Sequence, residues 1–367
     1  MSQRLGLGSD GSPWSVWSSH KNDTASGHEA QGSNKTHKAA SEAQAGRNVT
    51  LDPKANAAFV ILARNSDVWD IIDSIRGVED RFNHRYHYNY VFLNDEPFSE
   101  EFKRHTSAIA SGLCTYGQVP ESQWKNHGDW IDEDRAARAR QEMADKKVIY
   151  GDSVSYREMC RYQSGFFWRH PLLDTYDYYW RIEPSVKYYC DIEYDPFVFM
   201  RDHKKKYGWI ISLYEYAETI ETLWSTTQDF IKQHPEYLAK DNLEEFVSND
   251  KGKTYSRCHF WSNFEIGDLS FFRSQAYQSY FDHLDQAGGF MYERWGDAPV
   301  HSIAASLFLS KDEIHWFGGA GRQPGYGIGY WHNPFGHCPK NSVDHKDSFE
   351  DHWYSCTKKY KQIMGIN

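Results

Sequence analysis

An uninterrupted apolar run, AAFVILA, occupies residues 57–63. A short run without polar alternation is typical of a strand that is buried on both faces of a sheet. After a brief turn, Val68, Ile71 and Ile75 recur at the spacing of one helix face. A buried strand followed by an amphipathic helix is the start of a βαβ unit, which joins two parallel strands. The chain is therefore expected to form an α/β fold with a mostly parallel sheet between helices.

The same alternation continues along the chain. Residues 89–93, NYVFL, are predicted to form a second strand and residues 99–109 a helix. Residues 207–213, YGWIISL, are predicted to form one further strand, followed by a helix over residues 217–233. This alternation predicts a mostly parallel sheet, and the length of the chain suggests one large domain or two ordinary ones.

Net charge and aromatic content limit the classes of function. The 367-residue chain has a formal net charge of -10, which argues against a nucleic-acid binder. Aromatic residues make up 16% of the chain, and their flat faces suit pockets for sugars or bases. The sequence contains no uninterrupted apolar run of about 18 residues, the length that a membrane-spanning helix needs.

Residues 1–55 are rich in Ser, Gly, Asn and His and have no apolar period, so they are predicted to form a flexible stem. Glycosylation sequons begin at Asn22, Asn34 and Asn48. Their clustering favours a secretory lumen, and we expect a membrane anchor to precede this chain. In such a compartment the six cysteines could form up to three disulfides. Pairing of Cys338 with Cys356 is the most local possibility, and the other connectivities stay open.

Four carboxylates lie in the stretch RIEPSVKYYCDIEYDPF, residues 181–197. The run before it, residues 176–182, is aromatic and strand-like, and Pro184 cannot donate to a ladder of backbone hydrogen bonds. Glu183 is thus expected at the carboxyl edge of a sheet, where open α/β sheets bind their ligands. The alternative is a solvated acid in a turn.

Two later acids are also candidates for chemistry. Glu265 lies between Phe264 and Ile266 in CHFWSNFEIGD, and on a partly buried strand its carboxylate would need a partner. It is then a catalytic acid, base or nucleophile; otherwise it faces solvent. Asp297, in RWGDAPVH, is either an acid of the pocket or the N-cap of a helix over residues 300–309.

Several motifs occur together and in order. They are LARNSD (62–67), EDRFN (79–83), VFLND (91–95), residues 156–167, EPSVKYYCDIEYDPF, HFWSNFEIGD, ERWGDAPVHSI and IGYWH (328–332). In these motifs the chain resembles the fungal Golgi GDP-mannose-dependent α-mannosyltransferases of glycosyltransferase family 15. The resemblance covers the chain from residue 57 to its end.

This resemblance implies a GT-A glycosyltransferase fold with one Rossmann-like catalytic domain over residues 56–367. It implies Mn²⁺ as cofactor, GDP-mannose as donor and retention of configuration, so that α-linked mannose, in the 1,2 linkage, is added to a mannoside acceptor on glycoproteins or cell-wall mannan. It also implies a type II membrane protein whose catalytic domain lies in the Golgi lumen.

The resemblance carries roles to particular residues. Glu183 and His332, the latter in IGYWH, resemble the two protein ligands of the metal, a hard oxygen and an imidazole that Mn²⁺ accepts. Arg64, after the first strand, resembles a nucleotide-binding residue.

Other positions match residues of the sugar site. Glu265 resembles the proposed nucleophile, or the charge stabiliser if attack is from the front face. Tyr156 resembles the tyrosine that contacts the acceptor hydroxyl, and Asp297 a further acid of the pocket. Arg181 and Glu215 are candidate sugar contacts.

Three alternatives stay open at this point. A related transferase could extend a different glycan, and a catalytically silent carbohydrate-binding or scaffold protein could share the fold. A secreted glycoside hydrolase that uses Glu183 and Glu265 would act without metal and ignore GDP.

Overall fold

A central sheet of seven strands organises the protein in the computed structural model, which describes residues 53–319, 327–337 and 348–366. The described residues form twelve strands, of which seven belong to this sheet. They are β1 (Ala57–Leu62), β2 (Asn89–Asn94), β3 (Cys114–Gln118), β4 (Tyr178–Arg181), β5 (Lys187–Tyr188), β6 (Tyr207–Trp209), β7 (Ser212–Tyr214), β8 (Cys258–Phe260), β9 (Glu265–Asp268), β10 (Ile314–Trp316), β11 (Tyr330–His332) and β12 (Phe335–His337). The order in the central sheet is β10-β6-β9-β4-β1-β2-β3.

Helices cover this sheet. They are α1 (Val68–Arg81), α2 (Glu100–Ile109), α3 (Glu121–Trp124), α4 (Glu133–Asp145), α5 (Val154–Gly165), α6 (Pro196–Asp202), α7 (Leu223–Gln233), α8 (Glu244–Val247), α9 (Leu269–Phe272), α10 (Gln275–Ala287), α11 (Gly289–Tyr292), α12 (Asp297–Phe308) and α13 (Thr357–Met364). From Ala55 onward the chain forms one compact unit. Residues 1–52, which contain most of the predicted stem, lie outside the described residues, and the stem stays a prediction.

The largely parallel sheet is confirmed. Strand β9 runs antiparallel to its neighbours β4 and β6, whereas the other adjacent pairs are parallel. The predicted opening strand, helix and second strand correspond to β1, α1 and β2. Two small antiparallel sheets, β12-β11-β5 and β7-β8, lie beside the central one. None of the helices among the described residues is both long enough and apolar enough to span a membrane.

The single strand predicted over residues 207–213 is wrong. The chain leaves the central sheet after Trp209, and β7 pairs with β8 instead. Both halves of the run are buried, so an uninterrupted apolar pattern does not reveal the bend between them. The helix predicted from residue 217 begins only at Leu223.

Of the disulfide pairings that the sequence left open, the most local one, Cys338 with Cys356, does not form. Cys356 is bonded to Cys258, which joins β8 to the segment before α13 across a sequence separation of 98. Cys338 lies outside the described residues. Cys114 and the fully buried Cys160 are free thiols.

Candidate active site

Three charged side chains meet at the carboxyl edge of the central sheet. Arg181 is the last residue of β4, and Glu183 follows it in the connection to β5. The Arg181 guanidinium donates from Nε to Glu183 Oε1 at 2.6 Å and from Nη1 to Asp297 Oδ2 at 2.5 Å. The Arg181 side chain is only 7% exposed and that of Glu183 19%, so these ion pairs are shielded from water. Glu183 therefore lies at the predicted edge, and it is not a solvated turn acid.

Asp297 begins α12 but does not cap it, because Gly296 occupies the N-cap position and no side-chain capping bond forms. Its carboxylate instead accepts hydrogen bonds from Arg181 and from Ser262 Oγ, the latter at 2.7 Å. Burial opposes ionisation of Asp297, yet the positive charges of Arg181 and His301 hold its pKa below the ordinary value. The N-cap alternative is thus wrong, and Asp297 is a buried acid of the pocket.

Glu265 opens β9 and lies opposite Arg181 in the register with β4. Its side chain is completely buried, so the alternative of a solvent-facing acid is wrong. The Tyr179 phenol donates to Oε1, and the Tyr207 phenol donates to Oε2 at 2.6 Å. Gly267 leaves room for Tyr179, since a Cβ at this position would lie 2.5 Å from Tyr179 Cε1. The sheet therefore holds the Glu265 carboxylate in one orientation.

His301, one turn into α12, completes the surroundings of Glu265. Its Nδ1 lies 2.7 Å from Glu265 Oε2, and its Nε2 lies 3.0 Å from the carbonyl oxygen of Gln163. A carbonyl can only accept, so Nε2 carries a proton. Burial opposes a positive charge on the His301 ring and a negative charge on the Glu265 carboxylate. Because each charge stabilises the other, the pKa of His301 is raised and the pKa of Glu265 is lowered. The pair is an imidazolium beside a carboxylate.

His332 reaches the same edge through the small sheet. Strand β11 runs antiparallel to β5, with Trp331 opposite Lys187, which places His332 beside the loop that carries Glu183. Its Nδ1 lies 3.1 Å from the side-chain nitrogen of Asn263, and the ring also donates to the carbonyl oxygen of Pro184. Burial lowers the pKa of His332 to about 4, so the imidazole is neutral near pH 7, the form that binds metals.

The donor set at this edge fits the predicted Mn²⁺. Burial raises the pKa of Glu183, and the guanidinium of Arg181 only partly offsets this; a divalent cation would favour the ionised form further. A carboxylate oxygen and a neutral imidazole are both accepted by Mn²⁺. The described residues contain no group of three or more His, Cys, Asp or Glu that could hold a metal ion. The residues therefore suit a cation that takes its remaining ligands from a diphosphate and water.

Tyr156, on α5, belongs to a second cluster at this site. The Arg294 guanidinium lies 5.2 Å from the centre of the Tyr156 ring, and its Nη2 lies 3.7 Å from Glu215 Oε1. The ring of Tyr150 stacks on that of Tyr156, with the ring centres 4.4 Å apart. Burial raises the pKa of the Tyr156 hydroxyl well above its ordinary value, so it stays protonated and can donate a hydrogen bond.

Arg64 lies at the end of β1, at the same edge, but its side chain is 73% exposed. Its backbone N–H donates to Asp67 Oδ2 at 2.9 Å, and Nε lies 3.4 Å from the same oxygen. The charge of Asp67 acts on Glu183 in turn. Arg64 thus lies at the rim of the site and is not buried in it. Its guanidinium is accessible to a ligand that enters from solvent.

Sequence reasoning missed four residues that hold the site together: Tyr179, Tyr207, Arg294 and His301. Local signals existed for two of them. His301 lies four residues after Asp297, on the same helix face, and Tyr179 lies two residues before Arg181, on the same strand face. The contacts of Tyr207 and Arg294 are made by tertiary packing, and no spacing in the sequence indicates them.

Buried acids at the carboxyl edge of a largely parallel sheet, with an imidazole alongside, form the kind of site at which open α/β sheets bind their ligands. The family profile described as Glycolipid 2-alpha-mannosyltransferase matches residues 16–365. The chain is 54% identical over 326 residues to Glycolipid 2-alpha-mannosyltransferase 1 of Candida albicans, with 86% of this chain and 74% of the relative covered. It is 53% identical over 323 residues to Alpha-1,2 mannosyltransferase KTR1 of Saccharomyces cerevisiae, with 86% and 80% covered.

A solved structure agrees with these relatives. Core-mannan synthase A (CmsA/Ktr4) from Aspergillus fumigatus, in its Mn/GDP form, is 39% identical with a TM-score of 0.79 over 87% of this chain and 88% of the other. The chain belongs to the glycolipid 2-alpha-mannosyltransferase family, glycosyltransferase family 15. The predictions of the family, the GT-A fold, an α-mannosyltransferase activity, Mn²⁺ and a GDP-linked donor are confirmed.

Proposed function

We propose that the protein transfers mannose from GDP-mannose to a mannoside acceptor, forming an α-1,2 linkage with retention of configuration. The observation that carries the proposal is the bridge from Glu183 through Arg181 to Asp297 at the carboxyl edge of β4, with His332 held beside it by β11. A donor site and a sugar site would then share one buried guanidinium. Relatives named as α-1,2-mannosyltransferases support the linkage.

On the donor side, Glu183 and His332 hold Mn²⁺, and Arg64 contacts the nucleotide. When bound, the cation acts as a Lewis acid that offsets the charge developing on the leaving diphosphate. Arg181 orients Glu183 and favours its ionised form through the 2.6 Å bond to Oε1. Because this carboxylate is mostly buried, its attraction for a cation is weakly screened by water.

Glu265 supplies negative charge below the reacting sugar. Its oxygens already accept bonds from Tyr179, Tyr207 and His301, and it has no exposed surface. A nucleophile must touch the anomeric carbon, whereas a charge stabiliser need not. The filled coordination of the carboxylate therefore favours front-face attack, with Glu265 stabilising the positive charge that develops on the sugar.

Tyr156, Arg294 and Glu215 form the acceptor side. The Tyr156 hydroxyl donates to an acceptor oxygen, and Glu215, fixed by Arg294, contacts the sugar. Asp297 lies between the two sides, since it bonds Arg181 and its charge also reaches Tyr156.

The proposed location is the Golgi lumen, with a type II membrane anchor on the full-length protein. The disulfide between Cys258 and Cys356 supports an oxidising compartment. The sequons at Asn22, Asn34 and Asn48 support the same compartment.

The test is transfer from GDP-mannose to methyl α-mannoside with and without Mn²⁺, with the linkage of the product read by NMR. We expect a metal-dependent α-1,2-linked dimannoside. Mn²⁺-dependent binding of GDP-mannose without transfer to any mannoside would contradict the proposed acceptor class. Hydrolysis of mannosides without metal would point to a hydrolase, and absence of both binding and transfer would favour the silent carbohydrate-binding protein.

A further inference from the structure

The chain makes a tight turn between β4 and β5, and Glu183 is its first residue. We call residues 183–186 the Glu183 turn. Pro184 is its second residue, and Ser185, the third, has a positive φ of 62°. Proline followed by a residue with positive φ is the pattern of a type II turn. Because residues other than glycine rarely adopt this conformation, the surrounding structure must hold the turn.

Ser74, on α1, bridges the two ends of the Glu183 turn. Its Oγ accepts a hydrogen bond from the Val186 N–H at 3.1 Å and lies 2.9 Å from the carbonyl oxygen of Glu183. Ser74 is fully buried, so water does not compete for these bonds. One side chain, 109 residues before Glu183 in the chain, thus holds both the backbone of Glu183 and the last residue of the turn.

A helical serine commonly donates to the carbonyl one turn earlier, and such a bond has no effect on a neighbouring loop. Ser74 Oγ also lies 3.0 Å from the corresponding carbonyl oxygen, that of Asp70. Ser164, on α5, shows the ordinary case: it is equally buried, and its hydroxyl donates to the carbonyl oxygen of Cys160 at 2.7 Å. The bond from Val186 distinguishes Ser74, because the hydroxyl oxygen is the acceptor for a backbone N–H of the turn.

The peptide group between Pro184 and Ser185 is held on both sides. The Ser185 N–H donates to the carbonyl oxygen of Asp70 at 3.2 Å, and the Ser185 hydroxyl donates to Asp70 Oδ1 at 2.9 Å. The carbonyl oxygen of Pro184 accepts a hydrogen bond from the ring of His332. The Glu183 turn therefore carries one proposed ligand of the cation and contacts the other.

We propose that Ser74 is a positioning residue of the metal site: its hydroxyl holds the Glu183 turn so that the carboxylate of Glu183 and the imidazole of His332 face the same cation. This proposal rests on the assignment of these two ligands in the proposed function. Ligands that are held in place before the cation arrives lose less conformational freedom when it binds. Groups that orient metal ligands typically contribute about 10–100-fold to metal affinity.

The test compares Ser74→Ala with its matched control, Ser164→Ala. Each variant lacks one buried helical hydroxyl, but only Ser74→Ala removes a contact with the Glu183 turn. The affinity for Mn²⁺ is measured by electron paramagnetic resonance of the free ion at saturating GDP. We expect Ser74→Ala to bind Mn²⁺ about tenfold more weakly and Ser164→Ala to bind it like the wild type. Wild-type affinity in Ser74→Ala, or equal losses in both variants, would overturn the proposal.

Two variants of Ser185 test the turn without changing Ser74. Glycine adopts a positive φ readily, whereas the β-branched side chain of valine opposes it. Both variants lack the hydroxyl bond to Asp70, so the comparison does not depend on that bond. We expect Ser185→Gly to keep the wild-type affinity for Mn²⁺ and Ser185→Val to lose about tenfold. Equal affinities in the two variants would show that the conformation of the turn does not govern metal binding.

Hydrogen exchange of the metal-free protein measures the bonds of Ser74 without the cation. We expect the Val186 amide to exchange faster in Ser74→Ala than in the wild type, and the amides of β1 to exchange at the same rate in both. An unchanged rate at Val186 would refute the hold on the turn. Mn²⁺ binding that survives in Glu183→Ala would overturn the proposed ligands and, with them, the role of Ser74. Loss of binding in Glu183→Ala without any effect of Ser74→Ala would overturn the positioning role alone.

Discussion

Nδ1 of His301 lies 2.7 Å from Oε2 of Glu265, and neither residue has measurable exposure to solvent. The opposite nitrogen of the ring donates to a backbone carbonyl, which fixes the orientation of the ring and keeps a proton on Nε2. The family resemblance had drawn attention to Glu265 alone. In the fold, this carboxylate is one half of a buried ion pair that joins β9 to α12.

Replacing His301 with Gln should destabilise the protein strongly, because it removes the positive charge that is hydrogen-bonded to the buried Glu265 carboxylate. We expect the free energy of unfolding to fall by about 3–5 kcal/mol, measured by urea denaturation. The double variant Glu265→Gln/His301→Gln contains no buried charge at this place and should recover much of the loss. A double variant that is no more stable than His301→Gln would mean that lost packing, and not the unpaired charge, dominates.

The Glu265→Gln variant tests the catalytic role of the charge. It should fold and keep Mn²⁺-dependent GDP binding, while the rate of mannose transfer falls by at least about 10²-fold, as for other removed electrostatic contacts in active sites. Glu79→Gln is the matched control, since Glu79 is also buried and accepts from a tyrosine, Tyr90, but lies in α1. Near-normal transfer by Glu265→Gln would exclude Glu265 from catalysis.

Glu183→Ala and His332→Ala should each abolish Mn²⁺-dependent binding of GDP, measured by calorimetry, because each removes a proposed ligand of the cation. The exposed Glu193, in the same stretch of sequence, gives the control Glu193→Ala, which should bind normally. Unaltered metal dependence in either site variant would place the cation elsewhere.

Loss of the disulfide between Cys258 and Cys356 should lower stability, because the bond closes a loop of 98 residues in the unfolded chain. For the Cys258→Ala/Cys356→Ala variant we expect a decrease of about 2–5 kcal/mol in the free energy of unfolding. Dithiothreitol should destabilise the wild type and leave the variant unaffected. Cys114→Ser, which alters a free thiol, should behave like the wild type.

His127 should make stability depend on pH. Its Nδ1 lies 2.8 Å from Glu133, and Nε2 lies 3.4 Å from Glu158; these carboxylates, Glu158 foremost, raise its pKa above 6.5 against the effect of burial. The stabilisation is therefore complete below the ordinary pKa and is lost as the pH rises through the raised value. The difference in unfolding free energy between wild type and His127→Gln should be largest near pH 6 and shrink towards alkaline pH. A difference that does not vary with pH would refute this.

The sequence predicted those parts of the fold that depend on local pattern. The run before Arg64 and the helix after it correspond to β1 and α1. A strand that is buried on both faces has an uninterrupted apolar run, whereas a helix that is buried on one face has apolar residues at every third or fourth position, so the two patterns can be told apart. Glu183 was placed correctly since Pro184 ends the strand for a covalent reason. The burial of Glu265 also followed from its apolar neighbours.

Other parts depend on long-range packing and could not be predicted. The bend after Trp209 separates two buried segments with the same apolar character. Asp297 has the sequence context of an N-cap, but Arg181 and Ser262, from distant segments, draw its carboxylate away from the helix end. The partner of Cys356 is likewise chosen by the pairing of remote segments.

The pairing of β11 with β5 means that the proposed metal site is assembled from two segments that are far apart in the chain, one at residue 183 and the other at residue 332. A chain that terminates before residue 330 would retain the sheet strand that presents Glu183 but would lack the imidazole, as well as Cys356. Nascent or prematurely stopped chains should therefore be inert, and donor binding would report that synthesis has been completed. An incomplete chain of this transferase would therefore not bind the nucleotide sugar.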